Sequence, residues 1–232
     1  MKIFAIVPAA GSGRRLNRRV NKPFIKLGSK PLLAHALEAL NNSHYIDGIV
    51  LVVAEKSIEK TRNLVEKYRL SKVKFIVKGG KSRSDSVANG LKMIDKSVDY
   101  VLIHDGVRPF LEEGIIKKAV FKVKRYQAAC VCVKPKQTVK SRNNGFIINT
   151  LKRDSLLEAQ TPQVFKRDII LEAYRNKKLL GKVTDDASLV EELGYKVAVV
   201  PGSYRNIKIT TEEDLLLAEA LITKIQETRC KQ

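Results

Sequence analysis

Short apolar runs and amphipathic segments alternate along the first 133 residues of the chain. The runs predict strands that are covered on both faces, and they lie at Ile3–Val7, Ile49–Val53, Val73–Val77, Tyr100–Ile103 and Ala128–Val133. Between them, apolar residues recur at helical spacing in Pro31–Leu40, Ser57–Tyr68, Ser84–Ile94 and Glu112–Val123. The alternation predicts an α/β fold with a mostly parallel sheet.

The alternation stops after Val133. Residues 134–150 contain Pro135 and the turn sequence Asn143-Asn144-Gly145, with β-like pieces at Thr138-Val139 and Phe146–Ile148. Because Asn-Gly between β-like runs is typical of a hairpin, we expect a β-arm at about 134–153. One face of such an arm needs cover, and a partner subunit would provide it.

Helical spacing resumes near the end of the chain, and residues 1–232 are interpreted as a single domain. The pattern predicts helices at Lys166–Tyr174 and Asp186–Leu193 and a last strand at Lys196–Val200. A terminal helix is expected from Thr211, where Thr211 and Asp214 have the spacing of a capping box.

Charge adds a strong preference for anions to this picture. The chain has 44 Lys and Arg against 24 Asp and Glu, a formal net charge of +20. This excess fits nucleic acid, an acidic surface or small polyanionic substrates. However, the cations are spread along the chain, there is no Trp, and aromatic residues make up 6%. We therefore expect a field that attracts phosphates and no specific nucleic-acid partner.

The sequence also limits the location of the protein. No apolar run is long enough to span a bilayer, and the chain starts directly with a strand rather than a signal peptide. The three cysteines are odd in number and lack zinc-site spacing, so reduced thiols are expected. We expect a cytoplasmic protein with no membrane partner.

Candidate chemistry begins at the loop after the first strand. Small residues from Pro8 to Gly13 let backbone N–H groups approach an anion closely. Six cations follow, which suits a polyphosphate: Arg14, Arg15, Arg18, Arg19, Lys22 and Lys26. Two common phosphate loops are excluded. A dinucleotide fingerprint would need a glycine at Leu16, and a Walker A loop ending at Ser82 would need one at Phe75.

Other candidate stretches are expected at the same edge of the sheet. In open α/β sheets, ligands bind beyond the carboxyl ends of the strands. Besides the loop from Pro8, these ends carry Gly79-Gly80, the turn at Asp105 and the segment that follows Val133.

Five stretches, in order and correctly spaced, carry a family resemblance from Ile3 to about Leu221. They are Pro8–Arg15, Gly79–Val87, His104–Pro109, Gln160–Gln163 with Val183–Ser188, and Asn206–Thr210. On these motifs the chain resembles the 2-C-methyl-D-erythritol 4-phosphate cytidylyltransferases of the non-mevalonate isoprenoid pathway. The related ribitol 5-phosphate enzymes are similar to it nearly as closely at the nucleotide end.

The resemblance implies a Rossmann-like nucleotidyltransferase sheet whose β-arm forms a homodimer. It implies transfer of a cytidylyl group from CTP to a sugar-alcohol phosphate, with release of pyrophosphate and with Mg²⁺ as cofactor. The nucleophile would be a phosphate oxygen whose second pKa is about 6, so no general base is required. Alignment of two anions and stabilisation of charge at phosphorus are the main needs.

Site residues follow by position in the matching motifs. The cations that would contact phosphates and stabilise the transition state are Arg15, Lys22 and Lys208. The nucleotide-binding positions are Pro8, Ala9, Ala10, Gly11, Gly13, Gly80, Lys81, Ser86, Asp105 and Gly106. The acceptor-binding positions are Asp105, Arg108, Thr138, Arg153, Thr161 and Thr184.

Three of these motif positions carry further expectations. Asp105 is the candidate carboxylate for a Mg²⁺ ion held mainly by the CTP phosphates. Arg83 is either a further phosphate-binding cation or an ordinary charge at a helix start. Gly106 stands where the family more often has alanine, which predicts a looser turn.

Two alternatives to the leading function stay open at this point. One is a cytidylyltransferase that acts on ribitol 5-phosphate. The other is a non-catalytic, basic RNA-binding protein with this fold. The presence of Arg15, Lys22, Asp105 and Lys208 favours an enzyme.

Overall fold

The computed structural model describes residues 1–11, 22–176 and 184–230. In chain order its strands are β1 (Ile3–Ala9), β2 (Lys26–Leu27), β3 (Lys30–Pro31), β4 (Gly48–Val53), β5 (Val73–Lys78), β6 (Tyr100–Ile103), β7 (Ala128–Val133), β8 (Lys140–Asn143), β9 (Phe146–Thr150), β10 (Glu158–Lys166) and β11 (Ala198–Pro201). Its α-helices are α1 (Leu32–Asn42), α2 (Ile58–Lys67), α3 (Arg83–Leu91), α4 (Glu113–Tyr126), α5 (Arg167–Arg175), α6 (Asp186–Glu191) and α7 (Glu212–Cys230).

Seven strands form the central sheet, in the order β11-β7-β10-β6-β1-β4-β5. All neighbouring pairs are parallel except those of β10, which is antiparallel to both β6 and β7. The prediction of an α/β fold with a mostly parallel sheet is therefore confirmed. The predicted elements of the first 133 residues are all present, with ends shifted by at most three residues.

The sequence pattern missed strand β10 entirely. This strand buries the polar residues Gln160, Thr161 and Gln163, and it contains Pro162. Polar residues and a proline argue against a central strand in a sequence pattern. Here the polar side chains are buried because they make hydrogen bonds beside the candidate site, as described below.

Helices cover both faces of the sheet because its strands are apolar on both sides. In β1, Ile3, Ala5 and Val7 face one layer, and Phe4 and Ile6 face the other. The first layer contains α1, α2 and α4, and the second contains α3, α5 and α6. The sheet therefore has exposed loops mainly at its two ends, and the carboxyl end carries the predicted motifs.

The predicted hairpin is present as β8 and β9. The positive φ angles of Asn144 (46°) and Gly145 (87°) form the turn, as expected for Asn-Gly. The first strand begins at Lys140, directly after the predicted Thr138-Val139 piece. Phe146, Ile147 and Ile148 are exposed by 79%, 68% and 64%, so the hairpin presents an uncovered apolar edge in the single chain.

The last helix starts as the sequence predicts. The Thr211 N–H donates to Asp214 Oδ2 at 2.9 Å, and the Asp214 N–H donates to Thr211 Oγ1 at 3.3 Å, which is a reciprocal capping box. Among the helices of the described residues, none is both long enough and apolar enough to cross a membrane.

Candidate active site

A cavity of about 700 Å³ opens at the carboxyl end of the sheet. It lies between the end of β1, the start of α3, the turn after β6 and the segment before α7. Ten predicted site residues line it together: Pro8, Ala9, Ala10, Gly11, Lys22, Gly80, Lys81, Ser86, Asp105 and Lys208. Pro23, Ser82, Arg83, Val107 and Thr210 complete the lining that the structure describes.

Gly79 lets the loop before α3 pack against the loop after β1, and Gly80 lets the same loop pack against the first turn of α3. A Cβ on Gly79 would lie 2.3 Å from the Cβ of Ala10, and one on Gly80 would lie 2.2 Å from the Cβ of Asp85. A larger residue at Gly79 would push the two loops apart, and one at Gly80 would displace the start of α3. Gly79 was not among the predicted site residues, although its neighbour Gly80 was. The position of Gly79 in the matched motif Gly79–Val87 is the signal that could have identified it.

Hydrogen bonds fix the shape of the same loop. The Gly80 N–H donates to Ser86 Oγ at 3.1 Å, and that hydroxyl donates to the Ser82 carbonyl at 2.9 Å. Ser82 caps α3 in a capping box with Asp85. The base-recognition role of Ser86 stays a prediction, and the structure shows that its hydroxyl joins the Gly80 N–H to the Ser82 carbonyl.

Asp105 is the electrostatic centre of the cavity. Its Oδ1 lies 3.0 Å from Arg83 Nε, and its Oδ2 lies 2.8 Å from Lys208 Nζ and 3.7 Å from Arg108 Nε. Burial alone would raise the pKa of this carboxyl, but Arg83, Lys208 and Arg108 hold the pKa well below its usual range. Asp105 is therefore a carboxylate at any physiological pH.

Arg83 connects this centre to a second buried carboxylate. Its Nη2 donates to Asp186 Oδ2 at 2.8 Å while its Nε donates to Asp105 Oδ1. Burial alone would lower the pKa of Arg83, but Asp186 and Asp105 raise it above its ordinary value. The guanidinium is thus a bridge between two acids rather than an ordinary helix-start charge. Asp186 was not a candidate, although it lies in a matched motif.

His104 is buried beside Asp105 and is neutral. Its Nε2 lies 3.2 Å from the Arg108 carbonyl, which can only accept, so Nε2 carries the proton and Nδ1 accepts from the Thr161 hydroxyl at 3.0 Å. Burial lowers the pKa of His104 to about 4. No histidine lines the part of the cavity that the structure describes.

Three predicted residues lie behind the cavity wall instead of lining it. Thr161 Oγ1 accepts from the Asp105 N–H at 3.1 Å, and Arg108 Nη1 donates to the Asn206 carbonyl at 2.6 Å. Gly106 is tightly packed, since a Cβ there would lie 3.0–3.2 Å from atoms of Leu33, Ala9 and Val7. The expectation of a looser turn at Gly106 is wrong.

The remaining acceptor-side predictions lie farther away in the single chain. Thr184 is exposed two residues before α6. Thr138 and Arg153 are exposed on either side of the hairpin, where Arg153 Nη1 donates to the Lys136 carbonyl at 3.2 Å. Gly13 and Arg15 lie outside the described residues.

The geometry can bind a polyphosphate but offers little for proton transfer. Lys22, Lys81, Arg83 and Lys208 line the described cavity against one carboxylate, Asp105. A model of the IspD family, described as 2-C-methyl-D-erythritol 4-phosphate cytidylyltransferase, matches residues 3–224. The chain belongs to this cytidylyltransferase family.

Individual relatives agree with the family match over nearly the whole chain. The chain is 44% identical to the 2-C-methyl-D-erythritol 4-phosphate cytidylyltransferase of Clostridium botulinum strain Loch Maree, covering 95% of this chain and 97% of that one. It is also 44% identical to the enzyme of the same name from Geotalea uraniireducens, covering 99% and 100%.

Solved cytidylyltransferase structures share the fold. The crystal structure of 4-diphosphocytidyl-2C-methyl-D-erythritol synthase from Anaerococcus prevotii superposes with a TM-score of 0.85 at 35% identity, covering 96% of each chain. The 2-C-methyl-D-erythritol 4-phosphate cytidylyltransferase of Thermus thermophilus gives 0.80 at 28% identity, covering 96% of this chain and 100% of that one. The chain is therefore a nucleotidyltransferase of this family in sequence and in fold.

Proposed function

We propose that the chain transfers a cytidylyl group from CTP to 2-C-methyl-D-erythritol 4-phosphate in isoprenoid precursor biosynthesis. The products are 4-diphosphocytidyl-2-C-methyl-D-erythritol and pyrophosphate. The observation that carries the proposal is the match to this cytidylyltransferase family over residues 3–224. The lysine-lined cavity at the carboxyl end of the sheet gives the family match a physical basis.

The reaction needs alignment of two anions more than it needs a base. The acceptor phosphate is already largely ionised at neutral pH, and its oxygen attacks the α-phosphorus of CTP while the bond to pyrophosphate breaks. Lys22, Lys208 and Arg15 would neutralise the phosphates and stabilise the charge that develops on the transferred group. His104 takes no part as a base, since both of its ring nitrogens are already bonded within the protein.

Nucleotide recognition is assigned to the two loops that meet at Ala10 and Gly79. The backbone of Ala9 and Ala10, together with Gly80 and Ser86, would contact the cytosine, and the loop from Pro8 to Gly13 would contact the phosphates. The side chain of Lys81 lines the same cavity. These contacts require the close approach of the two loops that Gly79 permits.

Magnesium fits this site as an ion that arrives with the nucleotide. No group of three His, Cys, Asp or Glu side chains is available to hold a metal within the described ranges 1–11, 22–176 and 184–230. Asp105 is ionised and lines the cavity, so it would supply one oxygen while CTP phosphates and water supply the rest. When bound, the ion neutralises triphosphate charge.

The acceptor side is proposed to be completed by a second copy of the chain. Thr138 and Arg153 flank the hairpin and are not among the residues that line the cavity of their own chain, whereas Asp105 lines it and Arg108 and Thr161 lie behind its wall. The apolar edge formed by Phe146, Ile147 and Ile148 is exposed and would be covered in a homodimer.

Replacing Ile147 by Glu is expected to abolish the dimer and lower turnover at least about tenfold, because a buried charge opposes the interface and removes the partner's contribution. Sedimentation velocity and a steady-state assay check this result. Leu216→Glu is the matched control, since Leu216 on α7 is exposed by 67% against 68% for Ile147. A dimer of unchanged strength in the Ile147 variant would contradict the assignment of the arm.

A turnover assay with both acceptors tests the proposed function. In the presence of Mg²⁺, pyrophosphate release from CTP is expected with 2-C-methyl-D-erythritol 4-phosphate as the acceptor. With ribitol 5-phosphate the release should be at least about 100-fold slower, because we expect the site to hydrogen-bond the hydroxyl groups of the first acceptor. The family match and the two relatives named above do not favour ribitol 5-phosphate as the acceptor. No release with either acceptor would favour a binding protein.

We propose a cytoplasmic location, where CTP and reduced thiols are both present.

A further inference from the structure

A buried chain of polar side chains runs from α5 to the nucleotide cavity. The Tyr174 hydroxyl donates to Asp186 Oδ1 at 2.5 Å, and Arg83 Nη2 donates to Asp186 Oδ2 at 2.8 Å. The Arg83 Nε then donates to Asp105 Oδ1 at 3.0 Å, and Asp105 Oδ2 pairs with Lys208 at 2.8 Å. Five side chains from five separate segments thus form one connected series that ends at a cavity-lining cation.

Asp186 is the buried anchor of this series. Its side chain is 1% exposed, and burying a carboxyl group is costly unless close partners hydrogen-bond to both of its oxygens, as Arg83 and Tyr174 do here. Burial is the largest effect that raises the pKa of the Tyr174 hydroxyl, and the Asp186 charge raises it further, so the tyrosine keeps its proton and donates it to Asp186. In the part of the chain that the structure describes, the Asp186 side chain accepts hydrogen bonds from Arg83 and Tyr174, and of these two Arg83 lines the cavity.

The backbone around Asp186 is fixed on both sides. From β10, Gln163 Nε2 donates to Asp185 Oδ2 at 2.7 Å, and Gln163 Oε1 accepts from the Ala187 N–H at 2.9 Å. Asp185 in turn caps α6 through the Ser188 N–H at 3.0 Å. The Asp186 carboxylate therefore presents a fixed point to Arg83, and this explains why β10 buries a glutamine.

We propose that Asp186 is a positioning residue for cytidylyl transfer: by fixing the Arg83 guanidinium, it holds the Asp105 carboxylate and, with it, Lys208 in the geometry that the transition state needs. This inference rests on the proposed function. Thr184, a predicted acceptor contact, lies two residues before Asp186, so the same anchored segment links the acceptor side to the nucleotide side.

Asp186 acts by competing with Asp105 for the Arg83 guanidinium. With Asp186 present, the planar fork of Arg83 is divided between two carboxylates, and Asp105 Oδ2 faces Lys208 at 2.8 Å and Arg108 at 3.7 Å. Without the Asp186 charge, the fork can turn and bind both oxygens of Asp105, which is the favoured geometry of an Arg–carboxylate pair. Lys208 would then lose its partner and its position in the cavity.

Asp186→Asn is expected to lower kcat about 30- to 100-fold and to leave the KM for CTP within about threefold, because a displacement of about 1 Å costs this much in the transition state. Asn keeps the size of the side chain and its bond to Tyr174. Glu192→Gln is the control, since it removes an exposed carboxylate from the end of the same helix, and its kcat should equal that of the wild type.

A double-mutant cycle shows whether Asp186 acts through Arg83. On an Arg83→Gln background, Asp186→Asn should change kcat by less than about threefold, because the side chain through which it acts is gone. Independent, multiplying effects would overturn the proposal, as would an Asp186 variant whose kcat stays within about threefold of the wild type. If Asp186→Asn fails to fold, the test uses Tyr174→Phe in its place. The kcat of this variant should fall about 3- to 10-fold, and an unchanged kcat would overturn the proposal.

A signal that does not depend on turnover separates this inference from the proposed function. Solvent exchange of the Arg83 Nε–H, followed by NMR, should be at least about tenfold faster in Asp186→Asn and unchanged in Glu192→Gln, because the first variant removes the second anchor of the guanidinium. Equal exchange in both variants overturns the positioning role. Absence of turnover in the wild type would refute the proposed function and leave this exchange result to decide the positioning.

Discussion

Replacing Lys22 and Lys208 together by Met is expected to lower kcat/KM by about 10⁴-fold, with about 10²-fold for each single variant. Loss of one donor aimed at a developing oxyanion costs about 10²–10³ in rate, and two donors on separate segments should nearly add in free energy. Both lysines line the described cavity, and they come from opposite ends of the chain. Steady-state kinetics with CTP, Mg²⁺ and the acceptor measure the effect.

Two other lysines provide matched controls for this loss of charge. Lys26 is exposed in β2, only four residues after Lys22, and Lys78 is exposed at the end of β5, where it pairs with Glu55 at 2.6 Å. Neither is a cavity-lining residue. The double variant Lys26→Met and Lys78→Met removes the same net charge and should retain activity within about twofold, because exposed ion pairs contribute little. Equal losses in both double variants would mean that only the overall field of the protein matters.

Asp105→Asn is expected to reduce the free energy of unfolding by about 3–5 kcal/mol and kcat by at least about 100-fold. The carboxylate separates three buried or half-buried cations, Arg83, Arg108 and Lys208, and removing one partner of a buried ion pair leaves uncompensated charge. Activity should fall because the same carboxylate positions Lys208 and would hold the metal-bound nucleotide. Urea denaturation and kinetics on the folded fraction measure the two effects.

The pH dependence of this destabilisation gives a second check on its cause. The pKa of Asp105 is lowered in the folded state, so its stabilisation is present above the usual carboxyl pKa of about 4 and is lost as pH falls further. The difference between wild type and variant should therefore shrink below pH 4. Asp168→Asn, which removes a carboxylate with a 71% exposed side chain, should change stability by less than about 0.5 kcal/mol. A similar loss in both variants would contradict the role of burial.

Hydrophobic periodicity in the sequence was sufficient to predict most strands of the central sheet and the helices that cover it. Strands β1, β4, β6 and β7 of the central sheet are apolar on both faces, so their residues identify them without any knowledge of their neighbours. Strand β10 could not be found in this way, because Gln160, Thr161 and Gln163 are buried for their hydrogen bonds and not for their hydrophobicity.

The residues of the candidate site that lie in the matched motifs could also be predicted from the sequence, but the contacts between distant side chains could not. Motif positions placed Ala10, Gly80 and Asp105 at strand ends, where the topology brings them together. The bridge from Arg83 to Asp186 joins residues 103 positions apart, and no spacing or local pattern records such a pairing. The sequence likewise could not show that Thr161 and Arg108 support Asp105 from behind, since that depends on side-chain direction in the folded chain.

If fixed cations align the two phosphates without a proton-abstracting side chain, ionisation of the acceptor phosphate alone should set the acidic limb of the pH profile. The most direct test is the pH dependence of kcat/KM for the acceptor at saturating CTP and Mg²⁺. We expect one acidic limb near pH 6, set by the second ionisation of the acceptor phosphate, and a plateau above it. A phosphonate analogue of the acceptor, whose second pKa is higher, should move that limb upward. A limb that stays in place with the phosphonate would belong to a protein group and would contradict the account.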